Sequence, residues 1–137
     1  MVEHSLPVRY ADTDGAGHVF FANYLVYADE GYTAYLDALG CSYATLEDLG
    51  VYMVYAKTSC SHRGSARFGD RLTVNTQLER LGRTSLGICA TVLRGAEILA
   101  ECHLVSVCMD LATRTPVPIP TALREAVVEH QPELSSS

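Results

Sequence analysis

The sequence predicts an α+β fold: an antiparallel sheet of about five strands packed on one long helix. Three observations predict it. Apolar residues spaced by three and four run through residues 22–39 and mark a helix with one apolar stripe. From Tyr52 onward the period changes to two, the signature of strands with one buried face. The alternating runs are separated by short glycine-containing breaks, so each strand is expected to fold back on the one before. A chain of 137 residues fits one domain, 1–137, and can bury a core without disulfides or metal. With 48% hydrophobic and 19% charged residues it reads as globular rather than disordered.

The elements follow in order. Val8-Arg9-Tyr10 is expected to be a short strand, and Asp12-Thr13-Asp14-Gly15-Ala16-Gly17 is a cluster of turn formers. The helix stripe comprises Phe21, Tyr24, Leu25, Ala28, Tyr32, Tyr35, Leu36 and Leu39, and Gly40 follows where a helix C-terminus favours glycine. A second short helix is expected near 45–49. In the third strand Leu72, Val74, Thr76 and Leu78 alternate with polar residues, and in the fourth Leu86, Ile88, Ala90 and Val92 do the same. The run 98–109 is apolar on both faces, as in a central strand. Prolines 116, 118 and 120 end the sheet, because proline cannot donate to a ladder. Residues 122–130 suit a terminal helix, and 131–137 a solvated tail.

Charge and cysteine content narrow the function. The net charge is -6, the only lysine is Lys57, and there is no basic run. That argues against a nucleic-acid partner, although a few local arginines can still hold phosphates. Cys41, Cys60, Cys89, Cys102 and Cys108 are odd in number, contain no Cys-x-x-Cys, and sit mostly in apolar or alternating segments. They read as small packing residues of a reducing compartment. The N-terminus has no basic start or apolar stretch of a leader, and no apolar run reaches bilayer length, so a soluble cytoplasmic protein with no membrane partner is expected. No histidine pair has metal-ligand spacing on a helix and no Cys/His motif suggests zinc, so no metal is expected.

The turn before the long helix carries the chemistry. Two carboxylates and two glycines precede a helix N-terminus, which offers unpaired N–H groups and a partial positive charge. Such groups can polarise a carbonyl. A carboxylate beside it can attack, or can activate a water. The same Asp-x-Asp-Gly pattern also serves as an ordinary turn and helix cap.

Tyr10-Ala-Asp12-Thr-Asp14-Gly-Ala-Gly17, followed by Val19-Phe20-Phe21-Ala22-Asn23-Tyr24, resembles the N-terminal signature of the 4-hydroxybenzoyl-CoA thioesterase family of hotdog proteins. Gly69-Asp70-Arg71-Leu72 resembles that family's strand entry, and the likeness covers roughly 8–120. The resemblance implies a hotdog fold, a sheet wrapped around a central helix, assembling as a homodimer or homotetramer. It implies an acyl-CoA thioesterase that takes coenzyme A as part of its substrate and uses no separate cofactor. Asp14 takes the catalytic position, as nucleophile or general base. The Phe21 backbone N–H takes the oxyanion position, and Asp12 supports the loop. Gly17, His18, Asn23 and Tyr24 fall at substrate-binding positions, and Arg83 at a position that receives CoA phosphate, with Arg80 and Arg114 as neighbours. His18, Gly15 and His62 depart from the usual pattern and leave the acyl group open. Hydroxybenzoyl- or dihydroxynaphthoyl-CoA form one substrate class. Short or medium aliphatic acyl-CoA, or acyl carrier protein, form another.

Rival readings are weaker. Gly15-Ala-Gly17 lacks the third glycine of a dinucleotide fingerprint. Cys60 and His62 share a strand face but have no third group to orient them, which favours packing. A hotdog dehydratase needs a catalytic histidine in another motif. A non-catalytic acyl-CoA binding module would bind tightly without releasing thiol.

Overall fold

The computed structural model describes residues 1–136. Its elements are β1 (Val2–Pro7), a 3₁₀ turn (Tyr10–Asp12), α1 (Asn23–Ala38), α2 (Tyr43–Asp48), β2 (Val51–His62), β3 (Arg71–Leu81), β4 (Ser85–Arg94), β5 (Glu97–Asp110), α3 (Thr121–His130) and a closing 3₁₀ turn (Pro132–Ser136). The five strands form one antiparallel sheet in the order β1-β3-β4-β5-β2.

The alternating residues face where their period requires. Leu72, Val74, Thr76 and Leu78 of β3 and Leu86, Ile88, Ala90 and Val92 of β4 are buried, and with them Cys102 and Leu104 of β5. The buried face of α1, which includes Tyr27, Ala28, Tyr32, Tyr35 and Leu36, belongs to the same core. Gly31 lets the helix lie close to the sheet: a Cβ there would come within 2.5 Å of Thr76 Oγ1 and 2.6 Å of Val74 Cγ1.

Four expectations change. The first strand is Val2–Pro7 rather than 8–10. It pairs with β3 from Val2↔Thr76 to Pro7↔Arg71, and Pro7 is tolerated because β1 is an edge strand. Val8 then gives its N–H to Asp70 O, and the chain turns at Tyr10–Asp12. Secondly, the strands are not a simple meander. β2 pairs with β5 at the far edge, while residues 63–70 carry the chain across to enter β3 beside β1. The apolar faces of β3, β4 and β5 need cover on both flanks, whereas most of β2 is exposed, as suits an edge. Thirdly, the helix stripe gains Tyr27 and loses Phe21, which precedes the helix and is 66% exposed. Fourthly, the solvated tail expected over 131–137 is docked at its start. Gln131 is buried, accepts from Tyr35 Oη and Leu78 N, and donates to Leu78 O, and Leu134 is buried behind it. Ser137 lies outside the described residues. Among the described residues no helix is long and apolar enough to cross a membrane.

Candidate active site

The loop between β1 and α1 is built around Asp12. Its carboxylate is buried and accepts from Arg9 N at 3.0 Å, from the Arg9 guanidinium at 2.8 Å and from Tyr27 Oη at 3.0 Å. Burial pushes this carboxyl up. The Arg9 guanidinium, the Arg9 N–H and the Tyr27 hydroxyl pull it down further, leaving it below the ordinary value. Its backbone carbonyl accepts from Phe20 N and Asn23 Nδ2. Asp12 therefore ties together both ends of the loop and the first turn of α1.

Asp14 is presented differently. Thr13 bridges Val19, and Asp14 N donates to His18 O at 2.8 Å, so the loop doubles back on itself. Gly17, at φ +83°, turns the chain in the left-handed region that glycine adopts freely. Asp14 Oδ1 accepts from Ala16 N at 2.8 Å and His18 N at 3.3 Å. Among the described residues Oδ2 has no hydrogen-bond partner, and the residue is exposed on the single chain. One oxygen is tethered and the other is available.

The same loop ends at the tip of α1. Asn23, Tyr24 and Leu25 donate to Phe20, Phe21 and Ala22 carbonyls, and the N-cap Ala22 supplies no side-chain acceptor. Among the described residues the Phe21 and Ala22 N–H groups therefore remain without partners. Unpaired N–H groups at a helix start can receive an external oxygen.

The remaining site residues fall in three places. His18 Nδ1 lies 3.1 Å from Ser65 Oγ, close to the loop. Asn23 and Tyr24 serve the scaffold: Asn23 holds the Asp12 carbonyl, while Tyr24 is buried and its hydroxyl accepts from Ala66 N at 2.9 Å. Arg83 is not brought to Asp14. It sits in the β3–β4 turn, beside a cleft of about 500 Å³ that Ile119, Thr121 and Arg124 also line. β3 spans 11 residues between the two ends of the sheet, about 35 Å at the rise of a strand. Arg80 Nη2 donates to Ser85 Oγ in the same turn, whereas Arg114 lies after β5 in a left-handed conformation, φ 57°.

A family model described as the Thioesterase-like superfamily matches residues 8–127. The chain belongs to this superfamily. It is 28% identical over 120 residues to the 1,4-dihydroxy-2-naphthoyl-CoA hydrolase of Synechococcus elongatus, which covers 86% of this chain and 88% of the relative. It is 28% identical over 125 residues to an acyl-CoA thioesterase of Haemophilus influenzae, covering 89% and 92%. The crystal structure of a 1,4-dihydroxy-2-naphthoyl-CoA thioesterase from Synechocystis superposes with a TM-score of 0.84 at 26% identity, covering 93% of this chain and 95% of that one. The fold is that of these hotdog thioesterases.

Sequence reasoning missed several residues, and several contacts of residues it did name, around this candidate site. Arg9 and Tyr27 hold Asp12; the three-residue spacing of Arg9 from Asp12 is the one local signal for the pair. Tyr10, Phe20, Phe21 and Phe68 form an exposed aromatic rim, at 76%, 47%, 66% and 61% exposure, with Tyr10 edge-on to Phe68 and Phe20 against Phe21. His62, marked in the sequence only as a departure from the family pattern, ends β2 and stands edge-on to Phe21 and Tyr24. No local pattern marks Phe68 or His62 as neighbours of this loop, because the far end of β2 and the crossing segment bring them there.

Proposed function

We propose that the protein hydrolyses an acyl-CoA thioester to free acid and CoA, with Asp14 as its reacting carboxylate. One observation carries the reading: a carboxylate with one tethered and one available oxygen shares a loop with two unpartnered N–H groups at a helix tip. The Phe21 N–H receives the thioester oxygen as it becomes an oxyanion. Asp14 either attacks the carbonyl carbon or takes a proton from the attacking water. In the first route CoA leaves as thiolate and water then opens the mixed anhydride. In the second, water adds directly. A burst of CoA ahead of free acid marks the first route.

The assembly we propose is a homodimer, or a tetramer built of two such dimers, paired antiparallel along the free edges of β2. Edge strands invite pairing. His62 at one end of β2 touches Phe21, while Val51 at the other end pairs with Asp110 near the Arg83 turn. Antiparallel pairing therefore covers the aromatic rim of one subunit and brings the partner's Arg83 end toward Asp14. The CoA phosphates then rest on that arginine while the acyl group lies by Gly17, His18 and the wall formed by His62 over Tyr24. Exposed Phe20 and Phe21 suit an aromatic acyl group such as hydroxybenzoyl or dihydroxynaphthoyl, the latter being the substrate named for two of the relatives. The free thiols of all five cysteines agree with a cytoplasmic setting.

The test is a panel of aromatic and aliphatic acyl-CoAs and an acyl carrier protein thioester, with thiol release followed by a chromogenic reagent. Aromatic acyl-CoAs should give the highest kcat/KM. Tight binding of acyl-CoA with no thiol release across the panel would contradict the reading and favour a binding module.

A further inference from the structure

The face of the sheet turned away from α1 carries a cluster that the hydrolytic reading does not use. Glu79, Cys89 and His103 come from three neighbouring strands, β3, β4 and β5, and one ligand atom of each lies within 4.8 Å of the other two. Cys89 and His103 are direct cross-strand partners. His103 Nδ1 stands 2.9 Å from Glu79 Oε1, and its other nitrogen, Nε2, stands 3.0 Å from Glu101 Oε1. Glu101 is in turn within 3.4 Å of the Arg63 guanidinium.

The backbone is shaped to make this meeting. β3 is out of register between Leu78 and Arg80, so Glu79 is an extra residue in the ladder. Such a bulge re-aims side chains. It leaves Leu78 and Leu81 both buried in the core while Glu79 stands on the outer face. Gly87 makes room for it: a Cβ there would lie 3.1 Å from Arg80 Cβ and 3.5 Å from Glu79 Cγ.

We propose that Glu79, Cys89 and His103 form a three-ligand site for a zinc-class divalent cation, with Glu101 as the outer carboxylate that orients His103. A thiolate, an imidazole and a carboxylate are the donor set that zinc accepts, and a water completes four-coordination. Zinc–ligand bonds of about 2.0–2.3 Å put tetrahedral ligands roughly 3.3–3.8 Å apart, so the Glu79–His103 pair, now 2.9 Å apart, opens by about 0.5 Å while the contacts to Cys89, within 4.8 Å, close by about 1 Å. A carboxylate on the second imidazole nitrogen fixes the tautomer that presents Nδ1 to the metal. Binding releases the proton of Cys89 and any proton held by His103 between its two glutamates. No spacing along the chain reveals this set, because residues 79, 89 and 103 meet only across the ladder.

The site stands on the outer sheet face, apart from the Asp14 loop, so its test is separate from that of the hydrolase reading. Metal-free protein is titrated with zinc alone and, in parallel, with cobalt(II) alone. The expected result is one saturable zinc site per chain and a cobalt spectrum with a thiolate charge-transfer band. Cys89→Ser should abolish that band, and His103→Asn should weaken zinc binding at least about tenfold, while Glu101→Gln weakens it by about 10–100-fold as an outer-shell change. Zinc should also protect Cys89, and not Cys60, from alkylation read by peptide mass spectrometry. Cys89, Glu101 and His103 are only half-buried, so the substitutions leave the core intact, and circular dichroism of each variant serves as the check on folding. The proposal is overturned by the absence of saturable binding. It is equally overturned by binding of wild-type affinity in both Cys89→Ser and His103→Asn.

Discussion

Asp12 and Asp14 stand two residues apart on one turn, yet their surroundings give them opposite tasks. Asp12 spends both oxygens on Arg9 and Tyr27. Its carboxyl is held below the ordinary value of about 3.9 despite burial. A carboxyl depressed in the folded state contributes stability that is fully present above the unfolded value and is lost as pH falls through the folded one. Asp70 follows the same rule, lowered by the Arg67 N–H and then by the Arg94 guanidinium. Thermal denaturation from pH 7 down to about pH 2 should therefore show stability falling below about pH 4. Asp12→Asn should flatten that limb and cost about 1–3 kcal/mol at neutral pH, by leaving buried partners mismatched. Asp14→Asn should leave the melting curve almost unchanged, because the residue is exposed and only one of its oxygens is engaged. The sequence placed both carboxylates on the turn. It could not show that one is neutralised by a neighbouring arginine, since that depends on the tight turn at Tyr10–Asp12.

At the scale of elements, periodicity was a good guide wherever one face is buried. The helix stripe and the alternation of β3 and β4 read directly, because each buried residue faces the same core. It failed at the termini. Val2–Pro7 alternates weakly and is held by its ladder to β3, while Gln131 is polar yet buried, since its amide satisfies Leu78 and Tyr35. Two stability predictions belong here. Gly31→Ala should cost about 1–3 kcal/mol, measured by urea denaturation, because the new Cβ overpacks against Thr76 and Val74. Gln131→Ala should cost about 1–3 kcal/mol, because it strands a buried N–H and C=O of Leu78 and the Tyr35 hydroxyl. A wild-type midpoint in Gln131→Ala would show that the C-terminal segment does not brace the helix.

For the whole molecule, sequence order and spatial order differ. Four strands in succession suggest a meander, but the chain crosses after β2, so β2 becomes an edge and β3 enters beside β1. That arrangement places His62 and Phe68 near the Asp14 loop and leaves Arg83 at the other end of β3. Arg83→Ala should accordingly raise KM for acyl-CoA several-fold with little change in kcat, the mark of a contact equal in ground and transition states. An equal fall in kcat would place that arginine in the reacting geometry instead. The central claim is that the free oxygen of Asp14 drives thioester cleavage at the tip of α1. Its most direct test is steady-state thiol release by Asp14→Asn on the best aromatic acyl-CoA, beside the wild type at the same pH. In that variant kcat should fall about 10²–10⁴-fold with the fold intact. Turnover within about twofold of wild type would contradict the claim.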